Sequence, residues 1–285
     1  MPANAMEYPK EARNTVNRKG KMRGKYDLET VHSIIQQARV VHVSFTPFPD
    51  DPFPVILPMI GIMGECVPNG LLSVTYLSTG SYARPSAGLD EPQECYLHGY
   101  VSSRIMNVTK QTVADGKLGL PVCVAASRVD GLVLALSPNA HSYNYRSAVL
   151  FGYATPVTDV GEKLWAMEQI TNKVVPNRWE NTRVPPNAAE MSSTQILKVT
   201  VETASAKVRD GAPGDELVDL KDDEVRGRVW AGYVPMVEQL LDPVASSYNR
   251  VGEVPAHVKE YIEVANQEEL DYANKLVGVV KNATE

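Results

Sequence analysis

The chain has 285 residues, 44% hydrophobic and 22% charged, which is enough apolar material for a real core and too much for a disordered chain or a minimal disulfide scaffold. Its 34 acidic and 28 basic residues leave a formal charge of −6, which argues against whole-chain attraction to nucleic acid or an anionic membrane. Cys66, Cys95 and Cys123 lie far apart without a CxxC pair, and no apolar run approaches ~20 residues or resembles a secretory signal, so a reducing, cytoplasmic setting is expected.

Residues 1–26 carry seven basic residues against two acidic ones and read as a basic N-terminal arm, either a solvated tail or a segment that packs on a partner or serves a phosphate. Asp27 then precedes Val31, Ile34, Ile35 and Ala38, an N-cap followed by one apolar face, so a helix is predicted over 28–38. From 39 to 45 the period becomes two, with Val41, Val43 and Phe45 on one face. A Pro- and Asp-rich turn leads into 53–62, and the pair reads as a long-looped hairpin. The Gly-, Pro- and Ser-rich stretch 65–93 looks like an insert between core elements.

A short strand is predicted at 95–99, and Ser102 or Ser103 caps a helix over 103–115. Apolar runs at 118–128 and 132–136 meet at Asp130-Gly131, a hairpin turn pair. A long strand follows at 147–157, then a helix over 160–175 opened by an Asp159/Glu162 capping box and stopped by Pro176. Residues 195–207 alternate again, 210–226 read as an acidic solvated loop, 229–236 as a short strand, and 256–280 as a C-terminal helix. At least six strands in hairpin-like succession exclude a doubly wound parallel sheet and favour a closed or partly closed antiparallel barrel.

No P-loop, GxGxxG, HExxH or GxSxG motif is present, nor any paired metal-spaced His or Cys. Two polar clusters remain. The first, 96–104, runs strand, glycine, helix start, where unpaired amides, Ser103 and Arg104 offer donors suited to a phosphate monoester. The second, 141–147, packs His141, Tyr143, Asn144, Tyr145 and Arg146 together, which suits either a ligand or an interfacial hydrogen-bond network.

Arg23-Gly24-Lys25-Tyr26-Asp27, Tyr96-Leu97-His98-Gly99 with Ser102-Ser103-Arg104, Pro121-Val122-Cys123-Val124, Asn144-Tyr145-Arg146-Ser147, Ser205-Ala206-Lys207 and Val229-Trp230-Ala231-Gly232 follow in an order that resembles the flavin-binding split-barrel family related to pyridoxamine 5′-phosphate oxidase, in particular its nitroimidazole-resistance-protein-like subgroup. The resemblance implies a mainly β fold with peripheral helices: a six-stranded antiparallel split β-barrel of the FMN-binding type over 27–237, with a C-terminal helical extension over 238–285. It also implies a homodimer with FMN in the clefts between subunits. By the same resemblance the phosphate-binding turn falls on Ser102, Ser103 and Arg104, and the active-site histidine on His98. Pro58 and Met59 would lie along the flavin ring, with Asn144, Tyr145, Arg146 and Lys207 near the cofactor. A departure is Ile60-Gly61, where relatives often place an aromatic residue.

The expected activity is therefore an FMN-dependent oxidoreductase acting on a small organic molecule, with no nucleic-acid or membrane partner. Two alternatives stand beside it: a non-catalytic FMN-binding store or sensor, and a haem-binding split barrel using His98 or His141 as axial ligand.

Overall fold

In the computed structural model the described residues are 6–16, 23–48, 50–66 and 88–282, so the predicted insert 65–93 lies largely outside them. A two-residue strand β1 (Gly24–Lys25) leads to α1 (Leu28–Gln37), whose first turn is closed by the Asp27 carboxylate accepting from the Thr30 amide at 2.9 Å. Strands β2 (Val41–Phe45), β3 (Val55–Met59), β4 (Gly61–Gly64) and β5 (Glu94–Tyr100) follow, then α2 (Arg104–Ala114) and two 15-residue strands, β6 (Leu120–Leu134) and β7 (Ser142–Pro156). Next come α3 (Val160–Val174), α4 (Ala188–Ser193), β8 (Thr194–Arg209), α5 (Leu217–Leu220), α6 (Asp223–Arg228), β9 (Gly232–Pro235) and α7 (Ala256–Asn282).

The strands form one nine-stranded sheet with the order β3-β2-β6-β7-β8-β5-β4, to which β1 is added on β8 and β9 on β6. The ladder is an open path, yet its two ends, β3 and β4, are separated in the chain by Ile60 alone. The sheet thus has nine strands where six are expected, and its hydrogen-bonded path is not closed.

The chain divides into two units, 1–127 with 147–207 and 128–146 with 208–285. In the first, Val31, Ile35, Val41, Val43, Leu97 and Val124 are fully buried, as the period-two and helical patterns predict. Trp165 of α3 meets Tyr96 of β5 edge to face at 5.0 Å, within a cluster that includes Ile62, Ile170 and Ile196. Asp159 caps α3 by accepting from the Glu162 amide, but the reciprocal half of the box is absent. The Glu162 carboxylate instead accepts from the Tyr96 hydroxyl and from Lys198, both at 2.8 Å, because tertiary donors outcompete the local amide. The N-terminal residues also pack: Tyr8 and Asn14 are buried, and Asn14 Nδ2 donates to the Ala204 carbonyl at 2.9 Å.

Three sequence readings are corrected in the second unit. Asp130-Gly131 is not a hairpin turn, because β6 runs straight through it. Gly131 is required there by close approach: a Cβ would fall 2.2 Å from the Tyr233 ring, where β9 pairs Val133 with Tyr233. The polar residues 142–146 belong to β7 rather than preceding it. Finally, the acidic stretch 210–226 contains α5 and most of α6. Asp222 caps α6 by accepting from the Glu224 and Val225 amides, and acids in its first turn with arginines in its last complement the helix dipole.

One buried group makes stability depend on pH. His32 is fully buried; its Nδ1 lies 2.8 Å from the Leu89 carbonyl, which can only accept, so Nε2 accepts from the Tyr8 hydroxyl at 2.6 Å. Burial lowers the His32 pKa from its ordinary 6.5, against the smaller opposing pull of Leu89. Below that pH the unfolded chain binds more protons than the native one, so stability is fully present above it and falls as the pH drops. We expect a loss of up to about 1.4 kcal/mol per pH unit from this group on acidification below about pH 6.5. Denaturant titration at several pH values checks it, and a His32→Gln variant with an unchanged pH slope would contradict it.

Candidate functional site

The most distinctive local chemistry of the first unit lies where β5 gives way to α2. Gly99 permits the crowding there: a Cβ on it would stand 3.0 Å from Met106 Cε of α2, with Met59 Cε at 3.7 Å and Ser103 Oγ at 3.8 Å. Ser103 is the N-cap residue of α2, yet its side chain makes no capping bond, and its buried Oγ has no partner. The first turn of α2 holds no acid, whereas α1 and α3 have aspartate caps and a glutamate in the first turn. Arg104 is exposed at the first helical position, its guanidinium 5.9 Å from the centre of the Phe48 ring. Helix-start amides, a partnerless hydroxyl and a cation without a carboxylate on the same turn form a donor set that fits a phosphate.

Of the other predicted residues, Met59 lies opposite buried Val41 and reaches Gly99, while Pro58 lies opposite exposed His42 on strand β3, at the end of the hydrogen-bonded path, where a missing amide costs nothing. Strand alternation puts His98 on the face of Tyr96, and Gly99 on the face of Leu97, so His98 and the Ser103 group look to opposite sides of β5. Burial lowers the His98 pKa, with the Ile60 backbone pulling the other way, and its buried Nδ1 has no partner. Burial thus disfavours the imidazolium form. Ser102 is exposed and its carbonyl accepts from Asn107 Nδ2 at 3.1 Å. Lys207 pairs with Gly24 in the register of β1 and β8, and its carbonyl accepts from Ser147 Oγ at 3.3 Å.

Asn144, Tyr145 and Arg146 lie in the second unit. Arg146 donates to both oxygens of Asp130, at 2.8 and 3.1 Å, and its guanidinium stacks 3.8 Å from the centre of the Tyr272 ring of α7. Burial works against the Arg146 charge, but bonding to Asp130 outweighs it and holds the guanidinium protonated. Arg128 pairs with Glu269, Asn144 Oδ1 accepts from Arg209, and the Tyr233 hydroxyl donates to the Asp130 carbonyl at 2.7 Å. Asp130, Tyr233 and Tyr272 were not legible as site neighbours, since their signal is a meeting of distant strands and a helix. Two cavities of the first unit, about 280 and 790 Å³, are lined by none of the predicted residues. Among the described residues no group of three His, Cys, Asp or Glu could hold a metal ion, and no helix is long and apolar enough to cross a membrane.

A family model described as pyridoxamine 5′-phosphate oxidase matches residues 27–208. No curated protein matches the chain. Among solved structures it is similar to a flavocytochrome from Azotobacter vinelandii, with 24% identity and a TM-score of 0.66 over 90% of this chain and 99% of that one. It is also similar to the FAD and heme binding protein from Mycobacterium smegmatis, with 22% identity and a TM-score of 0.61 over 84% and 97%. Both are likenesses of fold.

The Arg146–Asp130 pair has a direct consequence for stability. Arg146→Ala removes both close bonds to the buried Asp130 carboxylate and leaves it only Arg128, 4.0 Å away, so it is expected to cost up to about 3–5 kcal/mol, read by chemical denaturation. A variant that unfolds at the wild-type denaturant concentration would show that the pair does not carry this weight.

Proposed function

Because the chain belongs to the pyridoxamine 5′-phosphate oxidase family, we propose that it is a flavin-dependent oxidoreductase that holds FMN between two copies of itself and acts on a small organic molecule. The observation that carries this reading is the start of α2, where Ser103 Oγ is buried without a partner and the first turn that holds Arg104 contains no acid. A dianionic phosphate supplies what that turn lacks. When bound, the flavin supplies electron and hydride transfer. The chain's part is to anchor the phosphate with Ser103, Arg104 and the first-turn amides, and to lay Met59 and Pro58 along the ring. His98, on the side of β5 away from the phosphate turn and with Nδ1 partnerless, is proposed to accept the substrate proton.

A second reading is favoured by that same imidazole. A half-buried histidine with one buried, unpartnered nitrogen suits axial ligation, and the two similar structures are described as a flavocytochrome and as an FAD and heme binding protein. In that reading the flavin is accompanied by haem at His98, and FAD replaces FMN.

The absorbance spectrum of the protein after incubation with FMN, FAD or haem and removal of unbound ligand separates these readings. Retained flavin bands near one per chain support the first, an added Soret band supports the second, and a colourless protein overturns both. Reduction by NADH or NADPH with turnover of an acceptor distinguishes an oxidoreductase from a flavin store. Ser103→Ala and Arg104→Ala are each expected to weaken FMN binding roughly 10- to 100-fold, the cost of losing one hydrogen bond to a charged group. His98→Ala should keep the flavin and lower turnover by roughly 10²- to 10⁴-fold, and wild-type turnover should hold through pH 6.5 and fall only on further acidification, because burial sets the imidazole's pKa below the ordinary histidine value. Full activity in the His98 variant would remove its role.

A further inference from the structure

The cavity of about 790 Å³ in the first unit lies among the end of α2, the end of β7, the start of α3, and α4. Its wall is mostly aliphatic. Val113 and Val160 are exposed there, Val160 at 62%, and Val157 and Met191 line it with them. No aromatic and no acidic residue lines the cavity, but two lysines do, Lys110 from α2 and Lys163 from α3.

The two cations are brought together without a counter-ion. Burial lowers the Lys163 pKa and the charge of Lys110 lowers it further, so each ammonium is felt by the other. Lys163 also stands at the start of α3, the end of the helix dipole that disfavours a cation. The acids beside it serve other groups: Asp159 accepts from the Glu162 amide, and the Glu162 carboxylate accepts from Tyr96 and Lys198. The Lys163 ammonium is fixed on the cavity wall by donating to the Met191 carbonyl at 2.6 Å, which uses one of its three protons. Binding cavities of this size pair an apolar lining with a few polar groups that orient the ligand. An anion on an aliphatic body is what this wall complements, since no ring is offered for stacking.

We propose that this cavity binds an aliphatic carboxylate, its carboxylate held by Lys110 and Lys163 and its alkyl chain laid along Val113, Val160 and Met191. The site is separate from the flavin reading, because none of the residues assigned to the cofactor lines it.

Calorimetric titration of the full-length protein with decanoate tests this, with decyltrimethylammonium as a probe of the same chain length and opposite charge. The expected result is a dissociation constant for decanoate below about 1 mM and binding of the cationic probe at least about ten-fold weaker. Lys110 is exposed, so Lys110→Glu should keep the fold, checked by circular dichroism, and weaken decanoate at least about five-fold. Lys163→Met should weaken it likewise. Equal affinity for the two probes shows apolar adsorption and overturns the proposal, as does a Lys110→Glu variant that binds decanoate as tightly as the wild type. A protein that takes up no decanoate, including one whose groove is covered by a second copy, overturns it as well.

Discussion

Between Met59 and Gly61 the chain crosses from one end of the sheet's hydrogen-bonded path to the other, and the geometry of the first unit depends on that corner. The sheet does not have to close by pairing β3 to β4, because a covalent step through Ile60 already joins them. The corner is held from outside by Lys173 of α3, whose ammonium donates to the Gly61 carbonyl and, at 3.2 Å, to the Ile35 carbonyl in α1. Burial lowers the Lys173 pKa to about 8, with the nearby Cys95 opposing the shift, which fits a cation taken out of water in order to tie two helices to one strand. Met59 precedes the corner, and the Ile60 backbone lies against His98. The position of both thus follows from a packing requirement rather than from any loop.

Charge is handled in opposite ways at the start of α2 and in the strand cluster of the second unit. In the second, buried Asp130 is matched by Arg146, and Arg128 by Glu269, so the ionic groups satisfy each other and fix strand ends to α7. At the start of α2, by contrast, the donors point at no acid of their own turn and one buried hydroxyl has no bond at all. This contrast sets Arg146 apart from Arg104: both are arginines beside a polar cluster, but among the described residues only Arg146 has a carboxylate bonded to it.

What the sequence made legible was mostly local. The aspartate caps of α1 and α3, the alternation of β2 and β8, and the hydroxyl-arginine opening of α2 are written within a few residues of one another. Asp130-Gly131 misleads for the same reason. As a dipeptide it spells a turn, but its carboxylate is claimed by Arg146 on the next strand and the space over its glycine by Tyr233, about a hundred residues away. Glu162 is similar, a plausible capping-box residue whose carboxylate is drawn to Tyr96 and Lys198. The opposite orientation of His98 and Ser103 was available from the strand period alone, but a family resemblance reads positions along a chain and not the sides of a strand.

The contact between Gly131 and Tyr233 ties two distant positions into one inherited unit. Any side chain larger than hydrogen at 131 displaces the ring at 233, and with the ring goes the hydroxyl that donates to the Asp130 carbonyl. Drift at either position is therefore constrained by the other. Relatives that replace the glycine should also have exchanged the tyrosine for a smaller residue, and the pair should change together or not at all.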